Sequence, residues 1–216
     1  MPEDRWGFDR WAMSYDEDIT KAAKSDDWMF KDYDRILDTV VDYCDLTSNE
    51  YSTVVDIGTG TGNLAARFAA RGLQVIGIEP SEEMRRICQQ KYPDITIKVG
   101  DFLSIPLPSN SVDLIVSAYA FHHLTPTQKE KSILEMKRVL KSKGRVVIAD
   151  LMFQNLSQEQ LLKQSLHKSS RSDIVEEIED EYLGFFDDLN KSFNRVGFTC
   201  HGERLTAPVW ILCACI

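Results

Sequence analysis

Short apolar runs alternate with helical patterns through the middle of the chain. The runs are rich in valine and isoleucine, and the segments between them carry apolar residues at the i, i+3, i+4 spacing of amphipathic helices. Strands that alternate with helices form a parallel sheet with helices packed on both faces. The strands predicted in this part are residues 53–57, 74–78, 95–99, 112–117 and 145–150. The pattern predicts a doubly wound α/β fold.

The two ends of the chain follow other patterns. After a helical segment over 185–196, the apolar runs 198–205 and 209–215 flank Ala207-Pro208 with no helix between them, which predicts an antiparallel strand pair. Near the start, apolar residues recur at helical spacing from Tyr33 to Cys44. We expect this helix to pack into the core.

Capping residues mark two of the middle helices. Ser81 precedes Glu82 and Glu83, and acidic residues are favourable in a first helical turn. Residues 125–128 read Thr-Pro-Thr-Gln, a capping box with proline at the first helical position, and the helix is predicted to run to about Lys141. Because its lysines, Lys129 among them, are interspersed with glutamates, we interpret them as a solvated face.

Composition narrows the function classes. The 216 residues suffice for one domain, and the net charge of −9 with a pI near 5.0 argues against a nucleic-acid surface. No apolar run approaches a membrane span and residues 1–5 do not resemble a signal peptide, so we expect a cytoplasmic protein with no membrane partner. The five cysteines form no Cys-x-x-Cys pair, and neither a disulfide framework nor a metal site is indicated.

The first strand breaks into a glycine-rich loop. It reads Asp56-Ile57-Gly58-Thr59-Gly60-Thr61-Gly62, followed by a helical pattern from Asn63. Glycines allow positive φ and close approach of a ligand, and the helix start beyond them offers unpaired N–H groups. A dinucleotide fingerprint would place its third glycine one residue later, at Asn63. The loop therefore predicts a nucleotide-like ligand and disfavours a nicotinamide dehydrogenase.

This loop resembles motif I of the class I S-adenosylmethionine-dependent methyltransferases, and the likeness extends over nearly the whole chain. It implies a Rossmann-like seven-stranded sheet in a single domain over 1–216, closest to small bacterial members of the family. Glu79, after the second strand, corresponds to the acid that accepts hydrogen bonds from both ribose hydroxyls. Asp101 and Phe102 correspond to the adenine clamp, although an aspartate after a strand is commonly a turn former. The cofactor-binding residues that the resemblance implies are Asp56, Gly58, Thr59, Gly60, Gly62, Glu79, Pro80, Asp101, Phe102, Ser117, Tyr15 and Trp11.

Two further segments are expected to cover the site. Residues 1–31 are rich in aromatics and resemble the N-terminal helical lid of small-molecule methyltransferases, with Trp11 and Tyr15 facing the cofactor; an aromatic helix packed on the sheet edge is the alternative. Residues 154–184 lie where related enzymes insert a substrate-covering element, and a solvated helix is equally compatible with their polar composition.

Methyl transfer is expected beyond the fourth strand, in the segment 118–124 that corresponds to motif IV. Ligands of open α/β sheets bind at the carboxyl ends of strands. His123 is the first candidate for a general base, with His122 and Tyr15 as further catalytic candidates and Asp150 as a residue at the substrate. Packing under the lid is the alternative role for the histidines. Asp113 begins its strand at the far end of the sheet and is expected to be structural.

Two functions of different kinds remain open at this stage. The first is an enzyme that methylates an N, O, S or C nucleophile of a small molecule and leaves S-adenosylhomocysteine, working as a monomer or homodimer. The second is a protein that binds S-adenosylmethionine or S-adenosylhomocysteine without transfer, as a sensor or partner subunit. The residues do not name the accepting atom, because transfer from a sulfonium needs mainly alignment and desolvation of the nucleophile.

Overall fold

The computed structural model describes residues 7–25, 27–46 and 52–216. Residues 1–6 and 26 of the predicted lid lie outside the described residues. In the described part the sheet runs in the order β3-β2-β1-β4-β5-β8-β7, with a two-residue β6 paired to β5. The strands are β1 Thr53–Ile57, β2 Gln74–Ile78, β3 Thr96–Lys98, β4 Val112–Ala118, β5 Leu140–Phe153, β6 Gly184–Phe185, β7 Thr199–Arg204 and β8 Val209–Cys215.

Helices cover both faces of this sheet. They are α1 Phe8–Trp11, α2 Tyr15–Ala23, α3 Tyr33–Tyr43, α4 Asn63–Ala69, α5 Glu82–Lys91, α6 Pro126–Val139, α7 Leu156–Lys168, α8 Ser172–Asp180 and α9 Phe186–Arg195. A 3₁₀ turn spans Phe121–His123. None of the described helices is both long and apolar enough to cross a bilayer.

The strand directions confirm the predicted fold. Strands β1 to β5 are mutually parallel where they pair, and β8 runs antiparallel between β5 and β7. Because side chains alternate between faces, Val54 packs with the α3 and α4 side while Val55 and Ile57 pack with the α6 and α9 side. Each fully buried Val or Ile contributes roughly 1.5–3 kcal/mol, so both faces hold the sheet.

The sheet order fixes where a ligand can bind. Strand β1 has β2 on one side and β4 on the other, so the connections leave in opposite directions from this point. A crevice forms at the carboxyl ends of strands where the order reverses. The glycine loop after β1 and the segment after β4 meet there. At the opposite end, the Asp113 carboxylate accepts bonds from the Ser52 and Thr53 amides and from Lys141, which confirms its structural role.

Helix α6 differs from its prediction in two respects. It ends at Val139 rather than near Lys141, because Leu140 is extended and pairs with Val112 as the start of β5. Lys129 is not on a solvated face: it is 5 % exposed. Since Lys129 lies one turn before the buried Ile133, its stem faces the sheet, and its ammonium donates to two main-chain carbonyls. The predicted capping box at Thr125 and the Ser81 cap are both confirmed.

Candidate active site

The glycine loop leaves open space at its centre. Gly58, Gly60 and Gly62 all have positive φ, at 72°, 54° and 92°. A Cβ on Gly58 would lie 2.4 Å from the Ala120 side chain, so this glycine permits close approach of the segment after β4. A Cβ on Gly60 would meet nothing within 4 Å. The loop is therefore packed against protein at its ends and faces a free volume at Gly60.

Glu79 lies directly beside this loop. One carboxylate oxygen accepts the Gly60 N–H at 2.9 Å and the other accepts the Ser81 N–H at 2.8 Å. Burial raises the pKa of Glu79, and the two amide bonds oppose that shift. Each oxygen keeps a further lone pair for a ligand hydroxyl. This carboxylate is 5 % exposed and held by main-chain donors, and its contact with a ribose remains a prediction.

Asp56 supplies a second buried carboxylate at the end of β1. The Thr59 hydroxyl donates to its Oδ2 at 2.7 Å, while Oδ1 has no hydrogen-bond partner among the described residues. Burial raises the pKa of Asp56 to about 7, and the Thr59 bond counteracts this. A buried oxygen without a partner is costly, so a polar ligand group at this position would be stabilising.

The adenine clamp residues have local roles in the protein itself. Asp101 Oδ1 accepts the amides of Leu103 and Ser104, which is the turn-forming role that the sequence also allows. Phe102 is buried and packs edge-on against Phe121 at 5.3 Å, with a ring atom 3.9 Å from the position of a Cβ on Gly58. Phe102 therefore borders the glycine loop, and its place in an adenine pocket stays a prediction.

Two other residues implied by the resemblance contribute differently. Ser117 is fully buried at the end of β4, and its hydroxyl donates to the Ile57 carbonyl at 2.7 Å. This bond ties β4 to β1 directly beneath the glycine loop. Pro80 is exposed between Glu79 and Ser81, and its carbonyl accepts a bond from Arg85. Both residues lie at the loop, and a contact of either with a cofactor remains a prediction.

The N-terminal helices place a row of aromatic rings across the site. Phe8 stacks with Trp11 at 6.5 Å, and Trp11 meets Tyr15 edge-on at 4.7 Å. Phe8 reaches the ring of His123 at 5.2 Å, and the hydroxyls of Tyr15 and Tyr33 are hydrogen-bonded. Burial, together with Tyr33, raises the pKa of Tyr15 well above its ordinary value, so this phenol stays protonated. The row connects the segment after β4 with the glycine-loop side.

Two aspartates attach these helices to the site. Asp9 accepts the Ser81 hydroxyl at 2.6 Å and the Glu83 amide at 3.2 Å, at the N-terminus of α5. Asp16 accepts the Thr61 hydroxyl at 2.6 Å and pairs with Lys91, also at 2.6 Å. We call residues 8–23 the lid. Its carboxylates contact both the loop and the helix that begins beside Glu79.

His122 forms a buried pair with Asp150. Its Nδ1 lies 2.5 Å from Asp150 Oδ1, and its amide donates to Oδ2 at 2.9 Å. Burial alone would raise the pKa of Asp150, but the electrostatic interaction and hydrogen bond with His122 hold it below its ordinary value. Asp150 is only 1 % exposed. Asp150 therefore lies behind His122, whose ring and amide it binds, and a contact with the substrate remains a prediction.

His123 forms a second pair, with Glu181. Its Nδ1 lies 3.1 Å from Glu181 Oε2, and both side chains are less than one fifth exposed. Burial and the neighbouring His122 lower the pKa of His123, with Glu181 opposing, so the imidazole is neutral at neutral pH. The rings of the two histidines are 4.0 Å apart. Two imidazole–carboxylate pairs thus lie side by side beneath Phe8.

Several residues of this site were absent from the sequence predictions. Glu181 follows α8 and reaches His123 only through the fold, and Asp9 and Asp16 were unremarkable acids in a charged segment. Tyr119 lies within the predicted motif IV segment but was not among the candidate site residues; it has a φ of 52°, is 8 % exposed, and its hydroxyl has no partner among the described residues. Strained backbone of this kind clusters at functional sites. No short-range pattern indicates any of these contacts.

Comparison with known proteins agrees with this geometry. Residues 55–148 match the family model described as a methyltransferase domain. An uncharacterised methyltransferase of Alkaliphilus oremlandii is 34 % identical, with 96 % of this chain and 94 % of the relative aligned. Among solved structures, a complex of the Haloferax volcanii Trm112 methyltransferase activator with a candidate methyltransferase has a TM-score of 0.70, at 20 % identity over 98 % of this chain and 96 % of the other. An S-adenosylmethionine-dependent methyltransferase of Thermotoga maritima, described as a possible histamine N-methyltransferase, has a TM-score of 0.65, at 18 % identity over 96 % of both chains.

Proposed function

The chain belongs to the family of class I S-adenosylmethionine-dependent methyltransferases, and we propose that it methylates a small molecule at the end of the site that holds His122 and His123. The cofactor, when bound, supplies an electrophilic methyl group on a sulfonium. In the reaction the sulfur–methyl bond breaks and its electrons stay on sulfur, a bond forms between the methyl carbon and the acceptor atom, and an N–H, O–H or S–H acceptor releases a proton.

The cofactor end of the site would be formed by the loop 58–62 with Glu79 and Asp56. Glu79 would accept the ribose hydroxyls, because both its oxygens are oriented by main-chain amides and retain lone pairs. The open space at Gly60 admits the ligand against the backbone. The partnerless Oδ1 of Asp56 favours a hydrogen-bond donor of the cofactor.

The observation that carries the proposal is the pair of imidazole–carboxylate contacts beneath the lid. His123 is neutral and partly accessible, so it would accept the proton that leaves the acceptor, with Glu181 orienting the ring. His122 is buried and fixed by Asp150. It would position the 3₁₀ turn and the neighbouring ring.

The enclosure of this end supports a small acceptor. Phe8 of the lid lies on one side of His123 and Glu181 at the end of α8 lies on the other, and Trp28 after the lid is hydrogen-bonded to Glu177 of the same helix. The segment 154–184, predicted as a possible cover, thus reaches the acceptor end. A buried, lid-covered acceptor site excludes water from the transfer and leaves little room for a macromolecule.

Formation of S-adenosylhomocysteine from a panel of cell metabolites tests the proposal. With a substrate found, His123→Ala should lose about 10²-fold or more in kcat at saturating cofactor, the lower end of the range for general-base help. His122→Ala should mainly lower the melting temperature, because it leaves the Asp150 carboxylate buried without its partner. The exposed His167 provides the matched control, His167→Ala, with wild-type behaviour expected.

Wild-type turnover in His123→Ala would contradict the role of His123 as the general base. If no metabolite yields S-adenosylhomocysteine while the cofactor binds normally, the small-molecule acceptor itself would be contradicted.

A further inference from the structure

Three potential metal ligands converge at the acceptor end. His122, His123 and Glu181 each offer a donor atom, and these donor atoms all lie within 4.8 Å of one another. His122 is buried, and the other two side chains are 18 % and 17 % exposed. The mixed composition matters, because two imidazoles and one carboxylate form a ligand set that proteins use for zinc and related ions.

We propose that His122, His123 and Glu181 bind a divalent transition-metal ion of the zinc type. Zinc bonds of about 2.0–2.2 Å to nitrogen and oxygen put two donor atoms of one ion roughly 3.3–3.6 Å apart in a tetrahedral site. His123 Nδ1 and Glu181 Oε2 are already 3.1 Å apart. An ion would replace the proton that this pair shares, and Glu181 at the end of a helix can adjust to it.

The contacts with Asp150 orient His122 as a metal ligand. Its Nδ1 is occupied by Asp150, so the other ring nitrogen, Nε2, remains to bind a metal. A ligating histidine that donates its second N–H to a carboxylate is the common arrangement around zinc, since the carboxylate fixes the ring and increases its basicity. The Asp150 carboxylate also accepts the His122 and Leu151 amides, which hold it rigidly.

The position of the site suggests what the ion would do. Three protein ligands leave at least one coordination position for water or for the methyl acceptor. An ion of this kind lowers the pKa of a coordinated hydroxyl or thiol, so that its proton passes to solvent and the nucleophile is present as the anion. This role rests on the proposed function and favours thiol or hydroxyl acceptors over amines. With the ion bound, His123 is a ligand; in the metal-free protein it is the base.

Metal binding can be measured without any substrate. Zn²⁺ is titrated against a chromophoric chelator into metal-free full-length protein, and Co²⁺ is added separately to record the visible absorption of a low-symmetry site. We expect one ion per chain in the wild type. His123→Ala and Glu181→Gln should each weaken binding by at least about 100-fold, and Asp150→Asn by roughly 10–100-fold, the usual effect of an outer carboxylate.

Controls separate this site from others in the chain. His167→Ala removes an exposed imidazole on α7, and Glu179→Gln removes an exposed carboxylate on α8. Both variants should bind zinc as the wild type does. Each variant is first shown to bind S-adenosylhomocysteine normally, which excludes misfolding. Glu181→Gln is isosteric and keeps the volume of this side chain, which is 17 % exposed. The free cysteines could also bind zinc, but any zinc that they bind would still be bound in all of these variants.

Two outcomes would overturn the proposal: no stoichiometric ion in the wild type, or equal affinity in the wild type, His123→Ala and Glu181→Gln. Neither outcome touches the proposed methyl transfer. Conversely, one ion bound through these residues in a protein that methylates no metabolite would leave the metal site standing and contradict the transfer proposal.

Discussion

The two ends of the site differ in what holds them together. At the cofactor end, the Gly60 and Ser81 amides bond to Glu79, so main-chain groups orient the key side chain. At the acceptor end, side chains orient one another: His122 pairs with Asp150, and His123 with Glu181, 58 positions further along the chain. The first end depends on the path of the backbone, and the second depends on the packing of distant elements.

This difference indicates which amino-acid substitutions each end of the site tolerates. A main-chain cradle survives most side-chain changes but not a change of backbone conformation, whereas a paired imidazole loses its orientation when either partner is replaced. Loops on a rigid scaffold can therefore change the acceptor while the cofactor stays the same. Substitutions at each end should accordingly affect different measured quantities.

The largest effect is expected for Gly60→Val. A branched side chain would occupy the open space beside Glu79 and is strained at a φ of 54°, so S-adenosylmethionine affinity should fall by about 3 kcal/mol or more, over 100-fold. Calorimetric titration measures this. The fold should persist, because no protein atom lies within 4 Å of the added Cβ. Normal binding by this variant would show that the loop does not hold the cofactor.

Glu79→Ala should follow closely. It removes the expected ribose acceptor and leaves two main-chain N–H groups without their partner, which together weaken S-adenosylmethionine binding by roughly 2–3 kcal/mol. The exposed neighbour gives a matched control, Glu82→Ala, for which unchanged affinity is expected. Equal affinities of both variants in calorimetry would refute the role of Glu79.

A smaller effect is expected for Asp56→Asn, and it depends on pH. The pKa of Asp56 is raised by burial to about 7 from an ordinary 3.8, so the folded protein holds this proton more tightly than the unfolded chain. Stability from this group is therefore present at low pH and lost as the pH rises from about 4 through about 7. Asparagine cannot ionise.

Chemical denaturation of cofactor-free protein at pH 5 and pH 8 checks this point. Relative to the wild type, Asp56→Asn should gain at least about 1 kcal/mol in the free energy of unfolding at the higher pH. Stability differences that are the same at both pH values would mean that Asp56 does not titrate in this range.

The lid connects both ends, and its loosening should have the mildest effect. Asp16→Asn removes the charge that pairs with Lys91 and weakens the contact to Thr61. S-adenosylhomocysteine should therefore dissociate about 3–10 times faster, because a partly exposed ion pair contributes only about 1 kcal/mol. Stopped-flow release measures the rate. Glu17→Gln, on the same helix and paired with the exposed Lys21, should leave the release rate unchanged.

Amide hydrogen exchange sharpens the same point. We expect the N-terminal residues up to about Lys31 to be more protected from exchange with S-adenosylhomocysteine bound than without it. Residues 8–23 should gain less protection in Asp16→Asn than in the wild type. The four samples are the wild type and Asp16→Asn, each with and without S-adenosylhomocysteine. Equal protection of residues 8–23 in all of them would mean that the described contacts do not control the lid.

The sequence predicted the parts of this molecule that depend on local signals. Strand and helix order, the Ser81 cap and the Thr125 capping box follow from patterns a few residues long, and the glycine loop with Glu79 follows from a short motif and the next strand. The roles of Lys129 and Asp150 were not predictable in this way. Lys129 looked like one more surface lysine, and only the docking of α6 shows that it is buried against main-chain carbonyls. Glu181 had no signal, because its partner lies on a different element.

The most direct test of the central claim is a crystal structure of the protein with S-adenosylhomocysteine. The two-ended site predicts both ribose hydroxyls within about 2.6–3.2 Å of the Glu79 carboxylate oxygens, with the sulfur facing the side of the site where His122 and His123 lie. A ribose bound away from Glu79, or a sulfur directed away from the two histidines, would contradict the account.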